Sequence, residues 1–394
     1  MIYSVHVSCF SNESYHDSHH DSHHNGHYHH MNYMDTLNCY DQCCMNFASC
    51  SSDSFKVYFI GTNPIERNIT SGCMGYENSE SKWLPTEYVT SNLSDACIVF
   101  MHPIQNSKQC RKSLHELPSW NIFGAAGRNH VIWISNDNGI DQFVRHKTYG
   151  LAAIAQGHSL YWRYVPGLDV PISLKSKGKG PDGFNLFYNS SSLQMVLPHN
   201  RKWLLTFKGT ETSKFQSGIS QFDNISRKIN ICTLPITCVR NTTANNTEYC
   251  QNKYQNFSNR SYIDLFNSTF GLIIPGRSPA TMRLHEVMST SSIPVFFGYD
   301  DSPLPYEDLI PWADISFFIN KESNLGTIIP LLEKMKYSDQ IIDMFRLVKF
   351  YYNKYFSSNY DQNKRAVIET YERRFTYRDT SRSHQIIRRG CDNK

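Results

Sequence analysis

The stretch FGLIIPGRSPATMRLHEVMSTSSIPVFFGYDD, residues 270–301, joins two apolar runs through a Gly/Pro-containing loop and a helix-like segment. Short apolar runs that end at polar, glycine or proline residues are typical of buried parallel strands. The helix-like segment lies directly between the two runs, without any long insertion. The order strand, loop, helix, strand therefore predicts a βαβ unit.

The helix-like segment places two charged residues on one face. Leu284, Val287 and Met288 share the i, i+3, i+4 spacing of a core-facing stripe. This spacing leaves Arg283 and Glu286 together on another face near the start of the helix. Two interpretations stay open. The residues form either a solvated ion pair worth about 0.3 kcal/mol, or a phosphate donor beside a carboxylate that binds ribose hydroxyls.

The start of this helix favours an anion. Gly276 permits a tight backbone, and Pro279 is compatible with a first helical turn, which Ser278 or Thr281 would cap. Helix N-termini attract anions through free N–H groups and the helix dipole. The segment lacks both GxGxxG and the Walker A lysine, which argues against dinucleotide and nucleoside-triphosphate sites.

Similar apolar runs recur along the chain and predict two α/β halves. The first half contains FKVYFI, ACIVFM and HVIWIS, and the second contains KWLLTFKG, KINICTL, FGLIIPG, SIPVFFG and ISFFIN. Helix-like stretches lie among them, including residues 142–155, and two long ones come near the end, IIDMFRLVKFYYNKYFSS and QNKRAVIETYERRF. Residues 174–190 and the polar segment 239–261 are expected to be loops. The predicted architecture is two packed parallel sheets with a ligand-binding cleft between them.

Composition divides the chain into four segments. Residues 1–50 form a His/Cys-rich arm with the run YHDSHHDSHHNGHYHH, 51–195 and 196–375 form the two α/β domains, and 376–394 form a basic tail. The arm is expected to be disordered and to bind transition metals incidentally, although a metal-binding protein led by this arm is a competing interpretation. A net charge of +4 with scattered basic residues argues against a nucleic-acid partner.

Cysteines and glycosylation motifs predict a secretory compartment. Ten Asn-X-Ser/Thr sequons occur, at Asn12, Asn68, Asn92, Asn189, Asn224, Asn241, Asn245, Asn256, Asn259 and Asn267. The twelve cysteines lack the paired CxxC spacing of a zinc site, so disulfides are expected, with their connectivity open. No run approaches the ~20 apolar residues of a membrane span, and the first residues lack the apolar core of a signal peptide.

From Phe270 onward the chain resembles the donor-binding segment of the exostosin family of glycosyltransferases. The shared features are a Gly-Arg loop, an Arg-X-X-Glu helix, an IPV strand, and an LP-aromatic segment followed by Trp. Further segments resemble the family in the same order within residues 55–375: SFKVYFI, TSNLSDACIVFMHP, LPSWNIFGAAGRNHVIW, GLDVPIS and LLTFKG. The shared order of these segments carries the resemblance.

The resemblance implies a GT-B architecture, in which two Rossmann-like α/β domains enclose a cleft. The N-terminal domain, residues 51–195, lies on the acceptor side, and the C-terminal domain, residues 196–375, holds a nucleotide sugar. The resemblance implies inverting transfer from a UDP-sugar to a glycan or glycoprotein acceptor, without a metal or other cofactor. Arginine side chains and the helix dipole then stabilise the departing diphosphate. The implied compartment is the Golgi or ER lumen, with a membrane anchor that this chain does not contain. The family also allows a hetero-oligomer with another exostosin-like protein.

The resemblance also assigns roles to residues. Arg283 would contact the diphosphate and Glu286 the ribose, while Lys208 and Gly209 would end the first strand of the second half. The remaining donor-side positions are Arg277 in the phosphate loop, Arg240, and Asp300 or Asp301 beside the sugar. His130 is the candidate catalytic base, although a lone histidine beside an apolar strand is more often structural.

Three positions depart from the family pattern. Gly271 stands where family members commonly carry Cys, Pro275 where they carry Arg, and Glu211 where basic residues usually follow the strand. The lost positive charge weakens the case for a bound diphosphate, and Arg240 is our candidate to compensate. The alternative function is therefore a catalytically degenerate exostosin-like subunit that binds and stabilises an active glycosyltransferase.

Overall fold

A computed structural model shows two parallel β-sheets of five strands each, with helices around them. The described residues are 45–46, 50, 55–61, 63–70, 83–102, 108–123, 127–134, 149–157, 165, 167–174, 193–211, 229–235, 248–259, 265–275, 280–299, 302–320, 325–356 and 360–376. All of them belong to one compact unit, residues 39–394. The predicted two-sheet α/β architecture is confirmed, while the exact domain boundaries stay a prediction.

The N-terminal sheet follows the order of the chain. Its strands are β1 (Val57–Phe59), β2 (Ile98–Met101), β3 (His130–Ile134), β4 (Ala153–Gln156) and β5 (Val170–Pro171), each parallel to the next. The helices described in this half are α1 (Pro64–Ile69) and α2 (Lys108–His115), with 3-10 turns at Thr86–Tyr88, Leu93–Asp95 and Pro118–Asn121. Every strand residue is buried, as expected for a parallel sheet covered on both faces.

The C-terminal sheet does not follow the order of the chain. Its strands are β6 (Trp203–Glu211), β7 (Ile229–Pro235), β8 (Ser268–Ile273), β9 (Ile293–Phe297) and β10 (Phe317–Ile319), and their spatial order is β10-β9-β8-β6-β7. All neighbouring pairs are parallel. The elements between them are α3 (Glu248–Asn259), α4 (Met282–Ser289) and α5 (Trp312–Ile315), and a 3-10 turn at Pro198–Asn200 precedes β6.

The last helices connect the two halves. They are α6 (Leu325–Met335), α7 (Asp339–Tyr351), a π-helical turn (Tyr352–Phe356) and α8 (Tyr360–Thr376), so the two long helices predicted near the end are confirmed. Arg374 of α8 donates to the carbonyl oxygens of Leu168 and Asp169, each at 3.1 Å. The Tyr371 hydroxyl also donates to Leu168, at 2.6 Å. These bonds fasten α8 to the chain just before β5.

Two local predictions were wrong. The end of the expected helix 142–155 is β4, because the small side chains of Ala153 and Ala155 are buried between two neighbouring strands. Alanine favours helices by propensity, but burial within a sheet overrides that preference here. Part of the expected loop 239–261 is α3, which carries the buried, disulfide-bonded Cys250.

The covalent features agree with an oxidising compartment. A disulfide joins Cys50 to Cys97 beside β2, which confirms the expectation of disulfides for this pair. Among the described sequons, the asparagines Asn68, Asn92 and Asn256 are exposed. None of the helices in the described ranges has the length and hydropathy that a membrane crossing requires. The histidine run, residues 175–190 and the basic tail 377–394 lie outside the described residues.

Candidate functional site

The C-terminal sheet reverses direction at β6. The chain forms β7 on one side of β6 and then crosses over to form β8 on the other side. Because the strands are parallel, the carboxyl ends of β6 and β8 lie at the same edge of the sheet. Open α/β sheets bind ligands in the crevice outside such a reversal point. The chain that leaves β8 and the start of α4 therefore occupy the position of a ligand site.

α4 begins and packs as the sequence predicts. The Thr281 side chain caps the helix, since its Oγ1 accepts the backbone N–H of Arg283 at 3.1 Å. Leu284, Val287 and Met288 form the predicted buried stripe. The capped first turn, the positive end of the helix dipole, is thus directed toward the carboxyl edge of the sheet, where an anion would be stabilised.

Gly271 allows α4 to lie close to β8. A Cβ atom placed on Gly271 would come within 2.4 Å and 2.5 Å of the two methyl groups of Val287, and within 3.0 Å of its Cβ. Val287 is β-branched, so its side chain has few alternative rotamers. The glycine that departs from the family pattern therefore has a local structural reason in this chain, because the Val287 side chain fills the space of a larger residue.

Arg283 and Glu286 form an ion pair along the side of α4, between Nη1 and Oε2. Their side chains are only 11% and 9% exposed. The guanidinium carbon also lies 5.8 Å from the ring centres of both Phe207 and Phe266. The ion pair predicted from spacing is present, but it is shielded by aromatic rings instead of solvated. Replacing one partner alone would leave an uncompensated charge in these surroundings.

Lys208 and Gly209 lie within β6, which continues to Glu211, whereas the family resemblance placed them at the strand end. Extending the β6–β8 register puts Lys208 level with the last residue of β8, so it is near the carboxyl edge on that side. Its side chain is buried. Because successive strand residues face opposite sides of a sheet, Lys208 lies on the other face of β6 from Phe207, the residue close to Arg283.

A cavity lies between the carboxyl edges of the two sheets. Gly157 and residues 172–174, which follow β4 and β5, line it from the N-terminal half. Thr281 and Leu284 of the α4 region, together with residues 303–305, line it from the C-terminal half. At the predicted cleft the structure thus has a small cavity of about 20 Å³, room for about one water molecule, and the capped start of α4 borders it.

His130 lies at the opposite edge of its sheet. It is the first residue of β3, at the amino end, and it is completely buried. Its Nδ1 is 2.9 Å from the carbonyl oxygen of Arg128, and its ring centre is 5.0 Å from that of Trp120. Burial lowers the pKa of His130 to about 4. These surroundings fit the structural interpretation of this histidine, and they do not bring it to α4.

Five predicted positions lie outside the described residues: Arg240, Arg277, Ser278, Asp300 and Asp301. Lys208 and Gly209 lie on β6 beside β8, and Arg283 and Glu286 lie on α4, whose first turn starts at the carboxyl edge; none of these four residues lines the cleft cavity.

One buried residue that supports the site was not identified from the sequence. Arg201, directly before β6, donates hydrogen bonds of 2.6 to 3.1 Å to the carbonyls of Leu193, Val196, Ser268 and Thr290 and to the hydroxyl of Ser292. Burial lowers the pKa of Arg201 to about 9. Because Thr290 ends α4, Arg201 fastens that end of the helix to the sheet. The available signal was a single arginine directly before a long apolar strand.

A second missed group lies between the halves. The carboxylate of Asp169 accepts the backbone N–H groups of Ile154 and Val165, each at 2.9 Å. Arg374, whose guanidinium bonds the Asp169 carbonyl, also pairs with the carboxylate of Asp308. The segment GLDVPIS signalled Asp169 only through the family resemblance, and nothing in the sequence pairs it with Arg374.

A family model, the exostosin GT47 domain, matches residues 51–335. The chain belongs to this family of glycosyltransferases. The exostosin resemblance is thereby confirmed, and the two parallel sheets of five strands agree with the predicted α/β fold class.

Similar proteins include exostosins. Exostosin-1b of Danio rerio is 24% identical over 349 residues, which cover 81% of this chain and 43% of that protein. Exostosin-1 of Cricetulus griseus is 25% identical over 357 residues, again 81% of this chain and 43% of the other. This GT47 chain therefore spans less than half the length of these relatives.

Solved glycosyltransferase structures match most of the chain, with low TM-scores. An α1,3-fucosyltransferase is 12% identical, with a TM-score of 0.34, and the match covers 88% of this chain and 97% of that one. WaaG, a glycosyltransferase involved in lipopolysaccharide biosynthesis, is 11% identical, with a TM-score of 0.31 and coverage of 80% and 75%.

Proposed function

We propose that this GT47 protein transfers a sugar from a UDP-sugar to a glycan or glycoprotein acceptor. The donor would bind where the C-terminal sheet reverses direction. The observation that carries this proposal is the crossover at β6, which puts the capped first turn of α4 at the carboxyl edge, beside the cleft. Family membership supports the class of reaction.

In this proposal the ion pair on α4 is exchanged when the donor binds. In the structure Glu286 neutralises Arg283. A diphosphate offers the guanidinium two charge-assisted hydrogen bonds, and the released Glu286 carboxylate then accepts hydrogen bonds from the ribose hydroxyls. The N–H groups of the first turn of α4 add further donors to the diphosphate.

The other donor-side positions remain part of the proposal. Lys208 and Gly209 support the edge of β6 beside the diphosphate, and Arg277 lies in the loop that follows β8 in sequence. Arg240 supplies the positive charge that Glu211 does not, and Asp300 or Asp301 borders the sugar.

The reaction would proceed by inversion. An acceptor hydroxyl attacks the anomeric carbon from the face opposite the diphosphate, the bond from that carbon to the diphosphate oxygen breaks, and UDP leaves. The negative charge that grows on the leaving oxygen is stabilised by Arg283 and the dipole of α4, without a metal ion. The acceptor proton passes to a base.

His130 is poorly placed to be that base. It lies at the amino edge of its sheet, while the cleft borders the carboxyl edge. With a pKa lowered to about 4 by burial, it would also be a weak proton acceptor at neutral pH. We therefore propose a structural role for His130 and a base that reaches the cleft from the carboxyl edge.

The alternative is a degenerate subunit that stabilises an active exostosin-like partner. It is favoured by the shielding of Arg283 and by the departures Pro275 and Glu211 from the family pattern. The two functions share the expected location in the Golgi or ER lumen, which the Cys50–Cys97 disulfide and the exposed sequon asparagines support.

Turnover of the donor distinguishes the two functions. The purified chain would be incubated with a mixture of acceptor oligosaccharides and with UDP-glucose, UDP-glucuronic acid, UDP-galactose, UDP-xylose or UDP-N-acetylglucosamine, with and without EDTA, and released UDP would be measured. Release from at least one donor, unchanged by EDTA, supports the enzyme. Binding of UDP without any turnover supports the degenerate subunit. A chain that binds no UDP contradicts the donor site in either function.

A charge-neutral double variant, Arg283→Met with Glu286→Gln, is the matched control for the site. It removes the guanidinium without leaving an unpaired buried carboxylate. Loss of UDP release in this variant, with an unchanged fold by circular dichroism, would assign the diphosphate to Arg283.

A further inference from the structure

A second cavity opens at the same edge of the C-terminal sheet. Its volume is about 550 Å³, and it is lined by residues at the carboxyl ends of β9 and β10 and by the chain from Ser302 to Ala313. Tyr299 and Leu304 line both this groove and the cleft cavity. The groove therefore adjoins the cleft cavity. Its volume lies within the roughly 300–1,000 Å³ that is usual for ligand sites.

One wall of the groove is a fixed aromatic ring. Phe318 of β10 is 51% exposed. Its ring stacks on Phe296 of β9, with 5.2 Å between ring centres and 18° between ring planes. Phe296 in turn packs edge-on against Tyr299 and Trp312, at 5.0 and 5.6 Å. The exposed ring is held from behind by buried aromatic residues, so it can serve as a binding surface with little loss of side-chain freedom.

The polar groups of the groove are few and acidic. Among the described lining residues, Glu307 is the charged one, and Ser302 adds a hydroxyl. The Glu307 side chain is exposed. A carboxylate accepts hydrogen bonds from hydroxyl and ammonium groups, and it repels other carboxylates and sulfates. The groove thus combines an apolar flat surface with hydrogen-bond acceptors and a negative charge.

We infer that this groove binds the acceptor and selects neutral or amino-substituted pyranose units. The C–H face of a pyranose would pack on Phe318, and its hydroxyl or amino groups would donate to Glu307. The residues shared by the two cavities place these units beside the cleft. Polyanionic acceptors, with uronate or sulfate at this position, would be disfavoured by Glu307. This inference rests on the proposed transferase function and specifies its acceptor class.

The test is binding to an array of immobilised oligosaccharides in four charge classes: neutral, amino-substituted, uronate-containing and sulfated. The wild-type chain is expected to bind neutral or amino-substituted members best. Phe318→Ala should reduce their signal about tenfold or more, and Phe318→Leu, which retains an apolar side chain without a flat ring, should also reduce it. Glu307→Gln should raise the signal of the uronate class relative to the neutral class.

Phe350→Ala is the matched control. Phe350 of α7 is 55% exposed, nearly the same as Phe318, but it lies outside the groove and packs edge-on against Tyr351. This variant should bind the array like the wild type. Equal losses in Phe318→Ala and Phe350→Ala, a preference for sulfated members, or no binding of any oligosaccharide would overturn the inference.

Calorimetric titration with UDP, and separately with a UDP-sugar, distinguishes failure of the acceptor groove from failure of the proposed transferase function. Wild type that binds UDP but no oligosaccharide contradicts only the acceptor groove. Wild type that does not bind UDP contradicts the proposed function itself. If Phe318→Ala weakens binding of the UDP-sugar but not of UDP, the groove holds the donor sugar, and the acceptor assignment is overturned.

Discussion

His130, which is fully buried, and Arg283, whose side chain is 11% exposed, are basic residues in different halves of the molecule, and the sequence indicated a chemical role for both. His130 begins β3, at the amino edge of its sheet, and contacts Trp120 and a backbone carbonyl. Arg283 lies in the first turn of α4, at the carboxyl edge of the other sheet, and pairs with Glu286. The comparison shows that the edge of a parallel sheet at which a residue lies is a better guide to ligand binding than the residue type.

The two sheets differ in the same way. Both have five parallel strands, but in the N-terminal sheet the described strands follow chain order, and in the C-terminal sheet the order reverses at β6. A reversal leaves the two neighbouring connections on opposite faces of the sheet and opens a crevice between them. We therefore place the donor at the C-terminal sheet. On this account, residues at the amino edge of a sheet stabilise the fold, and residues at the carboxyl edge bind the ligand.

The largest expected effect is at the amino edge of the C-terminal sheet. Arg201→Met keeps the side-chain length but removes the donors for four carbonyls and the Ser292 hydroxyl. We expect the free energy of unfolding to fall by about 3–5 kcal/mol, measured by urea titration. The exposed neighbour provides the control, since Lys202→Met should cost less than about 0.5 kcal/mol. Similar losses in the two variants would contradict a supporting role for this edge.

The second effect is a pH dependence from His130. Its pKa is about 4 in the folded chain and near 6.5 when unfolded, so only the unfolded chain gains a proton between these values. The contribution to stability is complete above pH 6.5 and is lost as the pH falls toward 4, by about 3 kcal/mol. Urea titrations at pH 7 and pH 4.5 measure it. In His130→Gln this part of the acid sensitivity should disappear; a parallel decline of variant and wild type would refute the structural assignment.

The third effect compares two glycines, Gly271 within β8 and Gly157 directly after β4. Gly271→Ala forces its new methyl group against both methyl groups and the Cβ of Val287, and should cost about 1–3 kcal/mol. Gly157→Ala meets mainly the flexible end of Leu174, with 2.3 Å to Cδ2, and should cost less. Adding Val287→Ala should relieve part of the loss only for Gly271→Ala. Thermal unfolding of the two single variants and of the two double variants with Val287→Ala would measure these losses. Equal losses in Gly271→Ala and Gly157→Ala would contradict the importance of the close approach of α4 and β8.

The smallest effect is at the cap of α4. Thr281→Ala removes the acceptor for the Arg283 N–H and should lower stability by about 1 kcal/mol. Thr281→Ser retains the hydroxyl and should restore most of this loss. Equal behaviour of the two variants in urea titration would mean that the Thr281 hydroxyl does not stabilise the first turn.

The strands of the C-terminal sheet and the charged face of α4 were predictable, because both depend on local sequence patterns. The apolar runs identified β6 to β10, and the spacing in residues 282–289 placed Arg283 and Glu286 on one face of α4. The shielding of Arg283 was not predictable, because Phe207 and Phe266 reach it from distant parts of the chain. β4 was missed since alanine-rich sequence favours a helix until neighbouring strands bury it.

Long-range contacts account for the other omissions. Arg374 bonds the Asp169 carbonyl across 205 positions of sequence, and no periodic pattern indicates such a contact. The same holds for Arg201, whose acceptors are distributed over β8 and the segments flanking α4 and β9. The edge of the sheet at which His130 lies was not predictable, because a sequence motif indicates that a histidine begins a strand but does not show which edge of the sheet faces the cleft.

The central claim is best tested by calorimetric titration with UDP of three proteins: the wild type, His130→Gln, and the double variant Arg283→Met with Glu286→Gln. We predict that the wild type and His130→Gln bind UDP with the same affinity at pH 7, and that the double variant loses at least tenfold in affinity, about 1.4 kcal/mol. Binding by the double variant equal to that of the wild type, or its loss in His130→Gln with the fold intact, would contradict the placement of the donor at the carboxyl edge of the C-terminal sheet.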